Sequence, residues 1–254
     1  MYNWLKFEQM KQIKHYLIYL IFRLMGTGSF VRRLEWCRML EWLSPRKDER
    51  ILDVACGMGE LSLLIARRGA EVFGLDMSEA AIEAAERLSR KAKIPCKFRV
   101  GDAQKLPYPD GYFDKIVCSS SLEHFEDDSL ALREMRRVLK DGGRVVLTAD
   151  SFTIPIKAEL EERHRRKCSV IHYYTRESME ASFRNCNLGI CRSDYLIKSS
   201  LASFFLKQWI KYPGPAVFWI TVAFCGYPLF IVSEKLAGGR EGGYTLIAEA
   251  VKSG

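Results

Sequence analysis

The segment from Ile51 to Leu61 combines an apolar run with two glycines, Gly57 and Gly59, and then continues as an amphipathic stretch. This order is typical of a buried strand that enters a turn and a helix. Glycine permits positive φ angles and close approach of a ligand to the backbone, so the turn can hold a nucleoside-linked group. A nicotinamide-binding fingerprint begins in the same way, although Ser62 stands where its third glycine belongs.

A carboxylate, Asp76, ends the next apolar run, which begins at Val72. At the carboxyl end of a parallel strand, a carboxylate can accept hydrogen bonds from both hydroxyls of a ribose. The alternative role is a cap on the helix that begins near Glu79, but Ser78 can provide that cap. We therefore predict that Asp76 binds a ribose.

A second acidic residue, Asp102, follows the third apolar run. At that edge of a sheet its carboxylate can meet the exocyclic amine of adenine, and Leu106 and Pro107 then direct the chain toward a fourth strand. Nicotinamide enzymes have no need of this pattern. The three segments together therefore favour a different adenosine-containing cofactor.

From Leu52 to Thr148 the chain resembles the class I S-adenosylmethionine-dependent methyltransferases, in particular those that methylate quinones, sterols and other small molecules. The segments that carry the resemblance are Leu52–Gly59, Gly74–Ser78, Gly101–Ala103, Leu106–Tyr108, Phe113–Asp114, Leu132–Glu134 and Leu139–Gly143. The resemblance implies a doubly wound α/β fold with a mostly parallel, Rossmann-like seven-stranded sheet that ends antiparallel. It also implies S-adenosylmethionine as the cofactor and S-adenosylhomocysteine as the product.

The resemblance further implies which residues bind this cofactor. The methionine end would lie against Asp53, Cys56 and Gly57, the ribose against Asp76, and the adenine against Met77, Asp102 and Ala103. Gly59 and Ser119 would complete the site. Ala55 stands where many relatives have glycine, and we expect a small effect because alanine suits the end of a strand.

The segment Cys118–Phe125 follows the predicted fourth strand, where this fold would place it opposite the methyl group and the acceptor. His124 is the best candidate general base there, because its ordinary pKa of about 6.5 lets it accept a proton at physiological pH. Glu123 is a second candidate. The alternatives are a His124 that belongs to the fold and a Glu123 that is solvated. The candidate lining of the acceptor pocket is Ser120, His124, Tyr173 and Tyr174, of which the two tyrosines fit the core equally well.

Alternating apolar and amphipathic segments predict the elements that position these residues. We predict strands at Ile51–Ala55, Glu71–Leu75, Cys96–Val100, Phe113–Ser119 and Gly143–Thr148, and helices at Leu61–Arg68, Ser78–Lys91, Asp128–Leu139 and Thr175–Asn185. Two further strands, Ser193–Lys198 and Tyr244–Val251, lack a helical crossover of the usual kind and suit the antiparallel end. The predicted organisation is two N-terminal helices in 1–45, over residues 5–25 and 30–44, a core in 46–198, an apolar helical insertion in 199–241 and a final core strand in 242–254.

The composition sets broad limits on the protein. A chain of 254 residues that is 48% hydrophobic and 28% charged can bury one full core, and its net charge of +8 suits an anionic surface or a soluble enzyme alike. Eight cysteines without a C-x-x-C pair indicate reduced thiols in a cytoplasmic protein, and we expect no metal site. The apolar stretch Tyr16–Phe22 ends at Arg23 without a cleavage site, so we predict no secretory signal.

The segment Tyr212–Ser233 contains no charged residue and is long enough to span a bilayer. A single crossing is excluded if the strands on either side of it pair in one sheet. Flanking lysines and internal prolines favour a peripheral or monotopic contact with the inner membrane face through residues 1–25 and 200–236, and hence a lipophilic acceptor. A lid over the substrate or a subunit interface is the alternative.

Other functions stay open on the sequence alone. They are a soluble small-metabolite methyltransferase, a non-catalytic S-adenosylmethionine-binding module and an NAD-dependent oxidoreductase. Nucleic-acid methylation is disfavoured, because no Asn/Asp-Pro-Pro-Tyr/Phe tetrapeptide follows the predicted fourth strand. The acceptor atom and the oligomeric state are not indicated.

Overall fold

Seven strands form one sheet in the computed structural model, which describes residues 30–211, 229–238 and 241–253. The strands are β1 (Arg50–Val54), β2 (Glu71–Asp76), β3 (Lys97–Val100), β4 (Phe113–Ser119), β5 (Leu139–Asp150), β6 (Leu188–Leu196) and β7 (Thr245–Lys252). Their order is β3-β2-β1-β4-β5-β7-β6. The first five run parallel, and β7 pairs antiparallel with both β5 and β6. The predicted α/β sheet with an antiparallel end is confirmed.

Seven helices pack around the sheet in the described part of the chain. They are α1 (Phe30–Leu43), α2 (Glu60–Ala66), α3 (Glu79–Ala92), α4 (Asp128–Val138), α5 (Ala158–Cys168), α6 (Arg176–Asn185) and α7 (Ser200–Lys211). A 3₁₀ turn covers Leu122–His124, and residues 229–236 are also helical. The predicted helix over 30–44 is α1. The helix predicted over 5–25 and the centre of the apolar insertion lie outside the described residues.

Side-chain caps define where several helices begin. The Ser78 hydroxyl accepts a hydrogen bond from the Ala81 N–H at 3.2 Å, and the Asp127 carboxylate accepts one from the Leu130 N–H at 2.8 Å. Such caps satisfy backbone donors that have no partner inside the helix. Because Ser78 caps α3, the Asp76 side chain is not needed for that role.

Two apolar layers cover the faces of the sheet. One contains Leu132 of α4 and Phe183 of α6, and the other contains Met39 of α1, Ile65 of α2 and Leu206 of α7. The central strands are therefore buried on both faces, as expected for a parallel sheet between helices. Because β1 to β5 run parallel, their carboxyl ends lie at one edge of the sheet, where the loops that follow them meet.

Helix α5 was not predicted, because its sequence is polar on nearly every side and His164 is its one buried residue. An apolar stripe is the signal that identifies a surface helix, and this segment lacks one. Strand β6 begins at Leu188 rather than Ser193, and β5 begins at Leu139 rather than Gly143. Pairing with β7 extends the first, and pairing of Leu139 with Phe113 of β4 extends the second.

Strands β6 and β7, which flank the apolar insertion, pair with each other along their length. A single membrane crossing by the insertion is excluded if the two flanking strands pair, and they do. Within the residues that the structure describes, no helix has both the length and the apolar character that a bilayer crossing requires.

Candidate active site

The turn between β1 and α2 folds back on itself through three left-handed residues. Ala55, Gly57 and Gly59 have φ angles of 55°, 52° and 77°. The Gly59 N–H donates to the Cys56 carbonyl at 3.0 Å and closes the turn. The expectation that Ala55 sits comfortably at a strand end was wrong, because β1 ends at Val54 and Ala55 adopts a conformation that costs an L-residue about 1 kcal/mol.

Two glycines let the turn and β2 approach β3. A Cβ on Gly59 would lie 2.7 Å from the Phe98 ring, and a Cβ on Gly74 would lie 2.5 Å from the same ring. Both separations are shorter than van der Waals contact. By contrast, a Cβ on Gly57 would meet nothing within 4 Å, so the backbone there borders open space.

Asp76 joins the turn to the end of β2. Its carboxylate accepts hydrogen bonds from the Gly57 N–H at 2.8 Å and from the Ser78 N–H at 2.9 Å. Each carboxylate oxygen can accept a further hydrogen bond. The side chain is therefore fixed at the sheet edge with free acceptor capacity, which suits the two hydroxyls of a ribose.

The end of β3 lies directly beside Asp76. The backbone carbonyl of Asp76 accepts a hydrogen bond from the Gly101 N–H at 3.0 Å, and this contact brings Asp102 to the same edge of the sheet. The Asp102 carboxylate accepts the Gln104 N–H at 2.8 Å. Ala103 is buried behind it, whereas Met77 is 72% exposed. The structure thus brings these predicted adenosine-binding residues together.

A cavity of about 150 Å³ continues from this edge toward β4. It is lined by Arg32, Trp36, Asp53, Ala55, Cys56, Gly57, Met58, Glu60, Leu61, Ser119 and Ser121. Five of the residues predicted to bind the cofactor therefore line this one cavity. Cys56 is buried, and burial raises the pKa of its thiol, so it serves there as a neutral group.

Asp53 lines the cavity and is almost fully buried. Burial raises the pKa of its carboxyl to about 7, the negative charge of Asp76 acts in the same direction, and the Ser62 hydroxyl, which donates to it at 2.5 Å, opposes them. A carboxylate here would gain a partner from an ammonium group. The position suits the amino group of a methionine moiety.

The raised pKa of Asp53 predicts a pH-dependent stability. Between about pH 4, its pKa in an unfolded chain, and about pH 7, the folded state binds a proton that the unfolded state has released. As the pH rises through this window, the contribution of Asp53 to the free energy of unfolding should therefore fall, by about 1 kcal/mol per pH unit. In Asp53→Asn the fall should be smaller, as measured by urea unfolding at pH 5 and pH 8.

An exposed carboxyl provides the control for this measurement. Glu83→Gln, on the outer face of α3, should keep the pH dependence of the wild-type protein. If Asp53→Asn and wild type lose the same stability between the two pH values, the Asp53 carboxyl is not protonated in the fold.

Helix α1 supplies site residues that the sequence did not identify. The Trp36 indole N–H and the Arg32 guanidinium donate to the Ser119 hydroxyl at 2.9 and 3.2 Å. The Ser119 and Ser120 hydroxyls in turn donate to Glu35 at 2.9 and 2.7 Å. A signal did exist, because three polar or amphipathic side chains at i, i+3 and i+4 share one helix face.

The two candidate bases after β4 differ in burial. His124 is about one-third exposed, and its Nδ1 lies 3.2 Å from the Ser169 carbonyl, which assigns a hydrogen to Nδ1 in the neutral ring. Its Nε2 is 4.0 Å from Glu123. The solvated interpretation of Glu123 was wrong, because this side chain is fully buried and accepts the Asp150 N–H at 3.3 Å.

The two tyrosines proposed for the acceptor pocket have different surroundings. The Tyr174 ring is 2% exposed, lies in the apolar layer with Phe183, and donates its hydroxyl hydrogen to Asp128. Tyr174 is therefore a core residue and not a pocket wall. Tyr173 is partly buried, and its hydroxyl lies 3.0 Å from His164.

The strand order, the antiparallel β7 and the crevice above β1, β2 and β3 define a class I methyltransferase fold. Residues 52–147 match the sequence model of a family described as "Methyltransferase domain". The YcgJ protein of Bacillus subtilis shares the fold with a TM-score of 0.63 and 21% identity, over 87% of this chain and 98% of that one.

Two curated relatives are similar to this chain in sequence. Demethylmenaquinone methyltransferase of Thermus thermophilus is 38% identical over 122 residues, which are 47% of this chain and 56% of that protein. The 27-O-demethylrifamycin SV methyltransferase of Amycolatopsis mediterranei is 36% identical over 127 residues, 49% of this chain and 46% of that protein. The chain thus spans about half the length of the curated relatives it matches.

The residues of the crevice fit S-adenosylmethionine, the cofactor of this class. Asp76 keeps free acceptor capacity for a ribose, and the backbone at Gly57 borders open space, because a Cβ added there would meet no atom within 4 Å. Asp53 and Arg32, which both line the cavity, carry the charges that an amino group and a carboxylate require.

Proposed function

We propose that this protein transfers a methyl group from S-adenosylmethionine to a small lipophilic acceptor. The observation that carries the proposal is the Asp76 carboxylate, held by the Ser78 backbone N–H and by that of Gly57, which lines the same cavity as Asp53. The matching methyltransferase domain supports the reaction type. The similarity to a demethylmenaquinone methyltransferase supports a quinone-type acceptor.

The bound cofactor would supply a methyl group on an activated sulfonium. The protein then has three tasks, which are to hold the cofactor, to align the acceptor and to exclude water. Asp76, Asp102 and Met77 would hold the adenosine, and Asp53 would hold the amino group of the methionine. The hydrogen bonds from Arg32 and Trp36 fix Ser119 beside the cavity, so α1 closes one side of the site.

The decisive experiment uses a deuterated cofactor. The purified protein is incubated with S-adenosyl-(trideuteromethyl)methionine and either demethylmenaquinone or a total lipid extract, and the products are identified by mass spectrometry. We expect a trideuteromethyl group on demethylmenaquinone or on another extracted lipid. S-Adenosylhomocysteine that binds in calorimetry, with no labelled product from either mixture, would instead support a binding module without turnover.

We further propose that the protein works in the cytoplasm at a membrane surface. Several exposed apolar side chains of the described chain cluster on α7 and on residues 229–236, namely Leu201, Phe204, Leu229, Val232 and Leu236. The uncharged segment Tyr212–Ser233 joins these elements in sequence, and Lys207 and Lys211 stand near it. Apolar side chains flanked by lysines favour the interface of an anionic bilayer.

The exposed apolar side chains of α7 and of residues 229–236 predict binding to vesicles. Phe204 is 54% exposed and Leu236 is 83% exposed, so replacing both with serine should leave the core intact. The double variant should bind vesicles of phosphatidylglycerol and phosphatidylcholine about tenfold more weakly than wild type in sedimentation, because two apolar side chains no longer enter the interface.

Leu130→Ser is the matched control, since Leu130 is a partly exposed apolar residue of α4. It should sediment with the vesicles as wild type does. A wild-type protein that stays in the supernatant, or a double variant that sediments equally well, would argue for a lid or a subunit interface instead.

A further inference from the structure

A second cavity lies at the same edge of the sheet as the cofactor crevice, where β5 and β6 end. Its volume is about 400 Å³, and its walls are the loop that follows β5, the end of β6, helix α7 and the residues that precede β7. This cavity and the one beside Asp53 share no lining residue. Small-molecule sites occupy about 300–1,000 Å³, so the space is large enough to hold a ligand of its own.

One face of α7 forms a wall of this second cavity. The residues of α7 that line it are Ser200, Ser203, Phe204 and Lys207, at helix positions i, i+3, i+4 and i+7. Residues with this spacing lie on the same side of a helix. Hydroxyl groups, an aromatic ring and an ammonium group therefore border one space.

Ser203 is a buried polar side chain whose hydroxyl lacks a partner. The residue is 8% exposed, and its backbone N–H donates to the Ser199 carbonyl at 2.9 Å. Its hydroxyl, by contrast, forms no hydrogen bond among the residues that the structure describes. Buried hydroxyls normally have a partner, because an unmade hydrogen bond costs stability. Since Ser203 lines the cavity, a ligand that enters the cavity would provide this partner.

Lys207 is a partly buried cation with no acid beside it. In the described part of the chain, no carboxylate forms an ion pair with its ammonium group. The other two charged residues of the lining are already paired. The Lys198 ammonium lies 2.6 Å from Asp194 Oδ1, and the Glu241 carboxylate lies 3.4 Å from the Arg176 guanidinium. The lining therefore carries one positive charge that no described side chain neutralises, and this favours an anionic ligand.

Apolar surface borders the same cavity. Phe204 lines the cavity and is 54% exposed, and Leu201, three residues earlier in α7, is 37% exposed. Ile154 and Pro155 add apolar surface from the loop that follows β5. A free phosphate ion would gain nothing from these side chains, whereas the chains of a lipid would bury them. The lining therefore favours an anionic group that is attached to a lipid.

We propose that this cavity binds the phosphate group of an anionic phospholipid, with the Ser203 hydroxyl and the Lys207 ammonium as donors and the acyl chains against Phe204. The inference rests on the proposed membrane surface, and it names the lipid and the site that recognises it. Phosphate oxygens accept strong hydrogen bonds from ammonium and hydroxyl donors. A phospholipid bound here would hold this edge of the sheet, which also contains the cofactor crevice, at the bilayer surface.

The test uses dihexanoylphosphatidylglycerol below its micelle concentration, so that single lipid molecules bind without a bilayer, and calorimetry measures the affinity. The wild-type protein should bind this lipid about tenfold more tightly than dihexanoylphosphatidylcholine, because the choline cation neutralises the charge that Lys207 recognises. Lys207→Gln should bind phosphatidylglycerol about tenfold more weakly than wild type, and Ser203→Ala about threefold more weakly, because each loses a hydrogen bond to the phosphate.

Lys211→Gln is the matched control, because Lys211 is an exposed lysine of the same helix that does not line the cavity. This variant should bind the monomeric lipid as wild type does, and thermal unfolding should show that each variant is folded. Lys207→Gln should also keep the wild-type affinity for S-adenosylhomocysteine, because the two cavities share no residue.

Three results would overturn the proposal. They are no binding of monomeric phosphatidylglycerol by the wild type, equal binding by the wild type and both cavity variants, and inorganic phosphate that binds as tightly as the lipid with the same loss in Lys207→Gln. The last result would assign the cavity to free phosphate.

The vesicle experiment separates this proposal from the proposed membrane surface. A wild-type protein that sediments with vesicles, combined with unchanged lipid affinity in Lys207→Gln, would reject the cavity and keep the membrane surface. A wild-type protein that stays in the supernatant but binds the monomeric lipid through Lys207 would keep the cavity and reject the membrane surface.

Discussion

Replacing Asp76 with alanine should weaken S-adenosylhomocysteine binding about 100-fold or more, because a ribose would lose two hydrogen bonds to a carboxylate. Hydrogen bonds to a charged group contribute about 1.5–3 kcal/mol each, and about 2.7 kcal/mol corresponds to 100-fold in affinity. The two backbone contacts to Asp76 show that its carboxylate is already oriented in the free protein. Little of the binding energy is therefore spent on ordering it.

The measurement is isothermal titration calorimetry with S-adenosylhomocysteine, together with thermal unfolding to confirm that the variant is folded. Asp76→Asn should lose less affinity, because an amide keeps one acceptor oxygen. Glu79→Gln provides the matched control, since Glu79 is an exposed carboxyl three residues away in α3. Unchanged affinity in a folded Asp76→Ala protein would remove the ribose from this position and with it the cofactor assignment.

Replacing Gly59 with alanine should lower the free energy of unfolding by about 2–4 kcal/mol, the largest stability effect expected in the turn. The new Cβ would lie 2.7 Å from the Phe98 ring and 2.9 Å from the Ala85 Cβ, so neighbouring elements would have to move apart. The φ angle of 77° adds backbone strain. Urea unfolding monitored by circular dichroism would measure the change.

Replacing Gly57 with alanine should weaken the binding of S-adenosylhomocysteine and have little effect on stability. A Cβ on Gly57 meets nothing in the free protein, so Gly57→Ala should cost only about 1 kcal/mol of backbone strain. Its methyl group would enter the crevice and weaken S-adenosylhomocysteine binding about tenfold or more, through contacts that a tight site cannot relax. A stable Gly59→Ala protein beside a destabilised Gly57→Ala protein would contradict the assigned packing.

The sequence predicts the parts of this fold that depend on local pattern. Apolar runs and glycines placed β1, β2 and the turn between them within one or two residues, and the carboxylate at Asp76 follows from its place after β2. Parallel strands between helices are almost uniformly apolar, so their signal is strong. The positions of Asp76 and Asp102, which we propose bind the adenosine, could be predicted for the same reason.

The remainder of the site depends on contacts between residues distant in sequence. Glu35 reaches Thr148 across 113 positions, and His164 reaches Tyr244 across 80. No local pattern distinguishes a buried Glu123 from a solvated one, because its burial depends on contacts with residues outside its own turn, such as Asp150 at the end of β5. Helix α5 escaped prediction since its only buried residue is a histidine. Long-range polar contacts therefore limit what sequence alone can establish here.

Strand β7 lies between β5 and β6, although it is made last of the three. During synthesis β6 must leave the ribosome and wait, with no neighbour on either side, until residues 245–252 emerge. Unpaired strand edges of this kind are open to association with other chains and to binding by chaperones. The nascent chain is thus most open to association before residues 245–252 emerge, and this eight-residue strand then adds two of the seven strands, itself and β6, to the sheet in one step.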